Sequence, residues 1–414
     1  MPQRPTWTVG TLSIQDVRPQ RSQAGMCCET THLRQTAPMP PLAVSLDASA
    51  VPANIGGVGR YLTGLLTGLA THGDCRLTLF AARGDSARWT RANPHLTVRD
   101  VAPGSRLPRL AWEQLALPGQ IRRAAPAVHH SPHYTMPRFA AVARVVTIHD
   151  MTFVTHPEWH QRSKVSFFRH WINRACQDAD VLVCVSQATA GELLDFRQPR
   201  GRVVLAPHGV DQNIFSPSGP SDDPFPVMKR HGLERPYVLF LGTVEPRKNV
   251  PGLVAAFDSL SSKHRDLHLV IGGAPGWDEA RVESAARQAR HPERIHRLGY
   301  VPEPDMPVLL RQAAVVAYPS FEEGFGLPVL EALACGAPTV TTRGTAMEEA
   351  SGGAARLVAP GDTRELAQAI DDLLTAGISE SERELGLAVA SRHTWTASAA
   401  KLIVAYRLAR DTHR

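Results

Sequence analysis

Short apolar runs alternate with amphipathic stretches along the chain from residue 42 onward. Apolar runs of four to six residues between turn signals are typical of buried strands, and the periodic stretches between them are typical of helices. Strands that alternate with helices form parallel sheets covered on both faces. The pattern therefore predicts an α/β fold with two sheets. The predicted strands of the first are 42–47, 76–80, 128–131, 144–149, 181–186 and 202–207, and those of the second are 237–241, 267–271, 295–298, 315–318, 339–342 and 356–358.

The division into domains follows from length and local composition. A chain of 414 residues is long for a single hydrophobic core. Residues 1–41 are rich in Arg, Gln, Thr, Ser and Pro without periodicity, which predicts a disordered extension, with Met39 as an alternative start. Pro, Ser, Gly and Asp crowd residues 216–226, which predicts a linker between a first domain, 42–215, and a second, 227–392. Residues 393–414 are predicted to form a last helix, capped by Thr394, that crosses back to the first domain.

Composition and charge narrow the functional classes. The formal net charge of +6 favours anionic partners, but no basic run carries the interleaved aromatic residues of a nucleic-acid-binding protein. The sequence has no apolar run of about 18 residues and no signal peptide, and its cysteines read as reduced thiols, which predicts a cytoplasmic protein. An amphipathic helix predicted at 162–174 leaves a peripheral contact at the inner face of the membrane open beside core packing.

A loop that leads into a helix carries the most informative residues. The run 320–332 follows an apolar strand, turns through Gly324 and Gly326, and enters a helix at Pro328. A helix N-terminus attracts anions such as phosphate, while the carboxylates of Glu323 and Glu331 suit hydroxyl groups. A nucleotide sugar offers both a diphosphate and hydroxyl-rich rings, so we expect this kind of ligand here.

Arg247 and Lys248 lie between a predicted strand and a helix, where a parallel sheet collects its ligands. Lysine is scarce in this chain, and an Arg fork beside a compact ammonium suits a pyrophosphate. A solvated cation pair is the alternative, but cations at a helix start oppose its dipole. Gly56 and Gly57 follow the first strand, and this glycine-rich loop fits either a phosphate loop or a tight turn.

His149 and Asp150 end a strand of the first sheet, so a role in the cleft is expected, with a structural histidine as the alternative. The run 130–134 contains two histidines but lacks the spacing of a metal site. Asp178 and Asp180 form the one Asp-x-Asp in the chain and are predicted to end a helix. We therefore predict no metal ligands and no cofactor. Arg247 and Lys248 would neutralise the negative charge that a metal ion neutralises in other enzymes.

The chain resembles retaining glycosyltransferases of the GT-B architecture, which has two Rossmann-like domains facing a cleft. The resemblance is to the large bacterial α-glycosyltransferase family that includes many mannosyltransferases, and it covers roughly residues 41–410. Its most specific motif is the pair of glutamates with seven residues between them, Glu323 and Glu331. Supporting motifs are Gly56–Tyr61, Ile148–Asp150, Val185-Ser186, His208–Asp211, Arg247–Asn249 and Gly299–Val301.

The resemblance implies a role for each motif residue. Glu331 would bind both ribose hydroxyls, Glu323 the transferred sugar, and Tyr300 and Val301 would border the nucleobase. The catalytic residues would be His149, Asp150, Glu323, Lys248 and Arg247. The donor-binding residues would be Gly56, Gly57, Arg247, Lys248, Tyr300, Val301, Glu323, Gly324, Phe325, Gly326, Leu327 and Glu331. Thr243 stands where many relatives carry an arginine, which Arg247 would replace.

The resemblance also implies a metal-independent reaction that retains the anomeric configuration. GDP-mannose is the first choice of donor and a UDP-hexose the second, with a glycan or lipid-linked acceptor in polysaccharide assembly. Arg106, Arg109, Trp112 and Tyr134 are candidates for the acceptor wall. A sugar-nucleotide epimerase and a non-catalytic nucleotide-sugar-binding protein are the alternatives.

Overall fold

The structure, a computed structural model, describes residues 40–51, 56–219, 223–233 and 236–413. The predicted N-terminal extension lies almost wholly outside the described residues. So do residues 53–55 of the glycine-rich loop and residues 220–222 of the predicted linker.

The described residues form two parallel sheets, so the predicted α/β fold with two Rossmann-like sheets is confirmed. The strand order is β3-β2-β1-β4-β5-β6-β7 in the first sheet and β10-β9-β8-β11-β12-β13 in the second. The strands of the first sheet are β1 Leu42–Asp47, β2 Cys75–Ala82, β3 Thr97–Ala102, β4 Val128–Ser131, β5 Ala143–Ile148, β6 Val181–Cys184 and β7 Arg202–Leu205. Those of the second are β8 Tyr237–Leu241, β9 His268–Gly272, β10 Ile295–Gly299, β11 Val315–Tyr318, β12 Thr339–Thr342 and β13 Arg356–Val358.

Helices cover both sheets, as parallel strands require. Those before the second sheet are α1 Gly57–His72, α2 Ser86–Ala92, α3 Arg106–Leu115, α4 Leu117–Ala124, α5 Thr152–Thr155, α6 Arg162–Asp178, α7 Gln187–Phe196 and α8 Phe225–His231. The later ones are α9 Val250–Leu260, α10 Glu279–Gln288, α11 Met306–Gln312, α12 Leu327–Ala334, α13 Ala346–Ser351, α14 Thr363–Ala376, α15 Glu380–Arg392 and α16 Trp395–Thr412. No helix among the described residues is long and apolar enough to cross a bilayer.

The apolar pattern located the central strands well and missed one strand at an edge. The observed β1, β4, β8, β11, β12 and β13 have the predicted bounds. The strand β3 was not predicted, because its Thr-Val-Arg-Asp-Val-Ala sequence lacks an apolar run. It pairs only with β2 at the rim of the sheet, where one side faces solvent and charged side chains are tolerated.

The last helix packs on the first sheet although it follows the second in the chain. Thr394 caps α16 by accepting a hydrogen bond from the amide of Ala397 at 3.0 Å. Leu402 and Tyr406 of α16 lie in the hydrophobic core of the first sheet. Helix α1 approaches α16 closely at Gly64 and Gly68, where an added Cβ would lie 2.1 and 2.2 Å from atoms of Trp395. The two helices are therefore held together as one rigid layer.

The chain passes between the two sheets twice, and the two crossings touch. The amide of Val210 donates to the carbonyl of His393 at 2.8 Å. A Cβ on Gly209 would lie 2.2 Å from the amide nitrogen of Trp395, so only glycine allows this approach. The two covalent connections between the sheets thus lie side by side, which is where a relative motion of the sheets would be centred.

Candidate active site

Helix α12 begins at the carboxyl edge of the second sheet, directly after β11 and its loop. It starts at Leu327, one residue before the predicted Pro328, and ends before Gly336, whose φ of 68° favours glycine. Gly326 has a φ of 110°, and a Cβ there would meet Met347 at 3.0 Å. Both constraints fix glycine at this position. The amides of residues 329 and 330 donate to its carbonyl at 3.0 and 3.3 Å, so the amides open to an anion are those before them.

Glu323, Arg247 and Lys248 form one buried ion cluster in front of this helix. Lys248 Nζ lies 2.5 Å from Glu323 Oε1, and Arg247 bridges Glu323 Oε2 and Glu245, the latter at 2.7 Å. The side chains of Glu323 and Lys248 are 12 and 10 % exposed. Burial raises the pKa of Glu323, but the positive charges of Arg247 and Lys248 together have the larger effect and hold the pKa at about 2. The sequence placed these three residues in one site, and the structure brings them into contact.

The Glu323 cluster predicts a specific dependence of stability on pH. A carboxylate whose pKa is lower in the folded state stabilises the fold above its unfolded pKa, and that stability is lost as pH falls through the folded value. With an unfolded pKa near 4.5 and a folded one of about 2, about 2 kcal/mol should be lost between pH 5 and pH 3. Urea unfolding at both values checks this. The wild type should lose more stability than Glu323→Gln, and equal losses would contradict the ion cluster.

Glu331 lies within α12, and its side chain is 3 % exposed. Its carboxylate Oε1 accepts a hydrogen bond of 2.6 Å from Nη1 of Arg60, a residue of α1 in the first half. Burial raises the pKa of Glu331 although Arg60 faces it. The sequence indicated Glu331 as a ligand for hydroxyl groups but gave no partner within the protein. Arg60 is a site residue that the sequence reasoning missed, although it stands within the Gly56–Tyr61 motif.

His149 faces this region from the end of β5. Its Nε2 lies 2.7 Å from the carbonyl oxygen of Pro132, which can only accept, so Nε2 carries the proton. Burial lowers the pKa of His149 to about 4, which keeps the ring neutral at neutral pH with a lone pair on Nδ1. The rings of Tyr61 and His208 flank it at 4.9 and 5.6 Å between centroids. The ring is fixed in orientation and able to accept a hydrogen bond.

Asp150 performs a structural task in this arrangement. Its Oδ1 accepts from the amide and the hydroxyl of Thr152, at 3.0 and 2.7 Å, at the start of α5. The hydroxyl of Tyr134 contacts both the amide and the carbonyl of Asp150, at 3.1 and 3.2 Å. These bonds shape the turn after His149. A direct catalytic role for Asp150 stays a prediction.

Gly324 joins the loop before α12 to the first half. Its carbonyl accepts from the hydroxyls of Ser186 and Thr189, at 2.7 and 3.0 Å. A Cβ at Gly324 would lie 1.7 Å from the carbonyl oxygen of His149. The two carboxyl edges therefore meet here, and His149 is brought beside the loop that carries Glu323.

The other predicted residues differ in exposure. Phe325 is buried, and its ring lies 5.0 Å from that of His208. Val301 is buried and Tyr300 is 60 % exposed at the end of β10. Gly56 and Gly57 begin α1 with open space beside each Cα and no positive φ. The local backbone thus does not require glycine at these two positions. The open space beside them is the observation that still fits a ligand.

A buried polar cluster at the carboxyl ends of β1 and β4 was not predicted as a unit. Glu113 pairs with Arg109 at 2.8 Å and accepts from Thr135 at 3.0 Å. Burial, followed by the nearby Asp47 carboxylate, raises the pKa of Glu113 to about 7. Arg109 and Tyr134, expected in an acceptor wall, are mostly buried and engaged with protein atoms. Across the described ranges, no three His, Cys, Asp or Glu side chains gather in a group that could hold a metal ion.

The fold and the site together define a GT-B glycosyltransferase. The structure is similar to that of sucrose-phosphate synthase from Thermosynechococcus elongatus, with a TM-score of 0.70 and 19% identity over 88% of this chain and 98% of that one. It is also similar to Anabaena HepE in complex with UDP-glucose, with a TM-score of 0.67 and 19% identity over 88% of this chain and all of that one.

Residues 226–389 match the family of glycosyl transferases group 1, and residues 55–213 match Glycosyltransferase Family 4. The chain is 31% identical to the O-antigen chain mannosyltransferase B of Escherichia coli over 68% of its own length and 74% of that protein. It is 28% identical to a GDP-mannose-dependent α-(1-6)-phosphatidylinositol monomannoside mannosyltransferase of Mycolicibacterium smegmatis over 83% of its length and 91% of the relative. The chain belongs to the glycosyl transferases group 1 family and is an enzyme that transfers a glycosyl group.

Proposed function

We propose that this glycosyltransferase moves mannose from GDP-mannose to a glycan or lipid-linked acceptor in polysaccharide assembly, with retention of the anomeric configuration. One observation carries the proposal: the contact of Glu323 with Arg247 and Lys248 in front of α12. The choice of mannose is supported by the two mannosyltransferases to which the chain is similar over most of its length.

The diphosphate of the proposed donor replaces Glu323 as the partner of Arg247 and Lys248. A diphosphate would take the two cations and the backbone amides of residues 325–327, because each of these groups favours negative charge. Glu323 would then lose its protein partners and accept hydrogen bonds from the transferred sugar. Arg247 and Lys248 would stabilise the negative charge that develops on the leaving diphosphate, so no metal ion is needed for that task.

The proposed acceptor approaches from the first half, beside His149. The neutral ring can accept one hydrogen bond through Nδ1, since Nε2 is committed to Pro132. It can therefore orient a sugar hydroxyl near the reacting carbon. A phosphate oxygen of the donor would take the acceptor proton on the same face, which gives retention.

A thermal-shift panel of GDP-, UDP-, ADP- and dTDP-sugars tests the choice of donor, because a ligand that binds the folded state raises its melting temperature. GDP-mannose should give the largest shift, with and without a chelator. A larger shift with a UDP-hexose would replace the donor but keep the enzyme class. Proton NMR of the transferred residue then decides the stereochemistry, and a β-mannosyl product from the α-linked donor would contradict retention.

A further inference from the structure

The ion pair between Arg60 and Glu331 joins the two halves of the molecule. Arg60 has no role in the function proposed above. Arg60 Nη1 and Glu331 Oε1 are 2.6 Å apart, with 26 and 3 % of the two side chains exposed. A second nitrogen of Arg60, Nη2, lies 3.1 Å from Met306 Sδ, also in the second half. The side chain of Arg60 thus ends inside the opposite half.

The backbone of Arg60 is fixed to the first half. Arg60 lies in the first turns of α1, and α1 is held against α16 where Gly64 and Gly68 meet Trp395. Glu331, in turn, lies in α12 of the second half. The pair therefore forms only when the two halves are as close as they are in this structure, so it couples the donor side to the position of the first domain.

Space for a ligand group lies beside the pair. A cavity of about 100 Å³ is lined by Arg60 and Glu331, and further by Leu327 and Glu303 of the second half and Thr63 of the first. Leu327 begins α12, whose amides are proposed to meet the diphosphate. A volume of this size admits several water molecules, so the pair borders room for a small polar group next to the position proposed for the phosphate.

Charge and hydrogen-bond capacity explain why an arginine would help there. A buried carboxylate without a cation tends to take up a proton, and burial already raises the pKa of Glu331 with Arg60 in place. Ribose hydroxyls are neutral donors and cannot replace the missing positive charge. A carboxylate has about four lone-pair sites, so one bond to Arg60 leaves enough acceptors for two hydroxyls.

We propose that Arg60 is a positioning residue for the ribose of the donor: it keeps Glu331 ionised and oriented so that the carboxylate accepts from the 2′- and 3′-hydroxyls. The proposal rests on the proposed function, in which Glu331 binds the ribose. It makes tight nucleotide binding depend on a residue of the first domain, whereas the resemblance assigned ribose binding to the second domain alone.

Titration calorimetry with GDP and with 2′,3′-dideoxy-GDP tests the proposal on the full-length wild type, Arg60→Ala and Arg60→Lys. The wild type should bind GDP about 100-fold more tightly than the dideoxy nucleotide, as two hydrogen bonds to a charged group would give. Arg60→Ala should lose most of this preference, with the dideoxy nucleotide bound nearly as in the wild type. Arg60→Lys should retain part of it. Arg407→Ala, which removes an exposed pair with Asp74, is the control and should change neither affinity.

Each contrary outcome has a distinct meaning. Equal losses for both nucleotides in Arg60→Ala would reduce Arg60 to a structural role and overturn the inference. Tighter GDP binding in Arg60→Ala would also overturn it, because Arg60 would then compete with the ribose. A wild type that does not distinguish the two nucleotides would instead contradict the ribose site at Glu331, and with it that part of the proposed function.

Discussion

Glu323→Gln is expected to lower the kcat for GDP release from GDP-mannose by about 100- to 1,000-fold, while GDP itself binds at least as tightly as to the wild type. Glutamine keeps the shape but removes the charge that would strengthen hydrogen bonds to the sugar in the transition state. It also removes the carboxylate that pairs with both Arg247 and Lys248. Lys248 is then left to the diphosphate, and Arg247 keeps the carboxylate of Glu245 as a protein partner. Steady-state kinetics and calorimetry with GDP separate the two effects.

The neighbouring carboxylate provides the matched control for this variant. Glu322 lies one residue away but pairs with His156, at 3.1 Å between Glu322 Oε2 and His156 Nε2. Glu322→Gln should therefore retain nearly full turnover. A wild-type kcat in Glu323→Gln, or a loss of GDP binding equal to the loss of turnover, would contradict the role proposed for Glu323.

Gly324→Ala is expected to reduce turnover by about 100-fold, because reacting groups displaced by about 1 Å can cost that much. The added Cβ would lie 1.7 Å from the carbonyl oxygen of His149 and 2.9 Å from Cβ of Asp150. The loop would have to move away from the end of β5, and it would carry Glu323 and the start of α12 with it. Overpacking of this kind also costs about 1–3 kcal/mol of stability, which chemical unfolding would measure.

Gly191→Ala is the control for the methyl group alone. Gly191 lies within α7, where an added Cβ would meet nothing within 4 Å. Alanine should keep turnover unchanged and stabilise the helix by up to about 1 kcal/mol. If Gly324→Ala were as active as Gly191→Ala, the contact between the two carboxyl edges would not matter for catalysis.

The sequence predicted the second sheet and its site more fully than the first. Strands β8 and β11 are buried apolar runs, so their local pattern matches their surroundings. Arg247, Lys248 and Glu323 follow such strands, and parallel strands bring their carboxyl ends to one edge. Their proximity could therefore be inferred from order along the chain, although their mutual ion pairs could not.

The contacts between the two halves had no local signal in the sequence. Arg60 and Glu331 are separated by 271 positions. The motif that contains Arg60 indicated a role for its glycines but none for the arginine side chain. Ser186 was noted within a motif, but its bond to the carbonyl of Gly324 depends on how the two sheets meet. Such pairs follow from the tertiary arrangement, which periodicity and spacing do not contain.

A crystal structure of the complex with GDP-mannose would show whether the donor displaces Glu323 from its two cations. We expect the diphosphate within hydrogen-bond distance of Lys248, Arg247 and the amides at the start of α12, with the ribose on Glu331 and the mannose hydroxyls on Glu323. A nucleotide bound elsewhere, or one that leaves Glu323 paired with Arg247 and Lys248, would contradict this expectation.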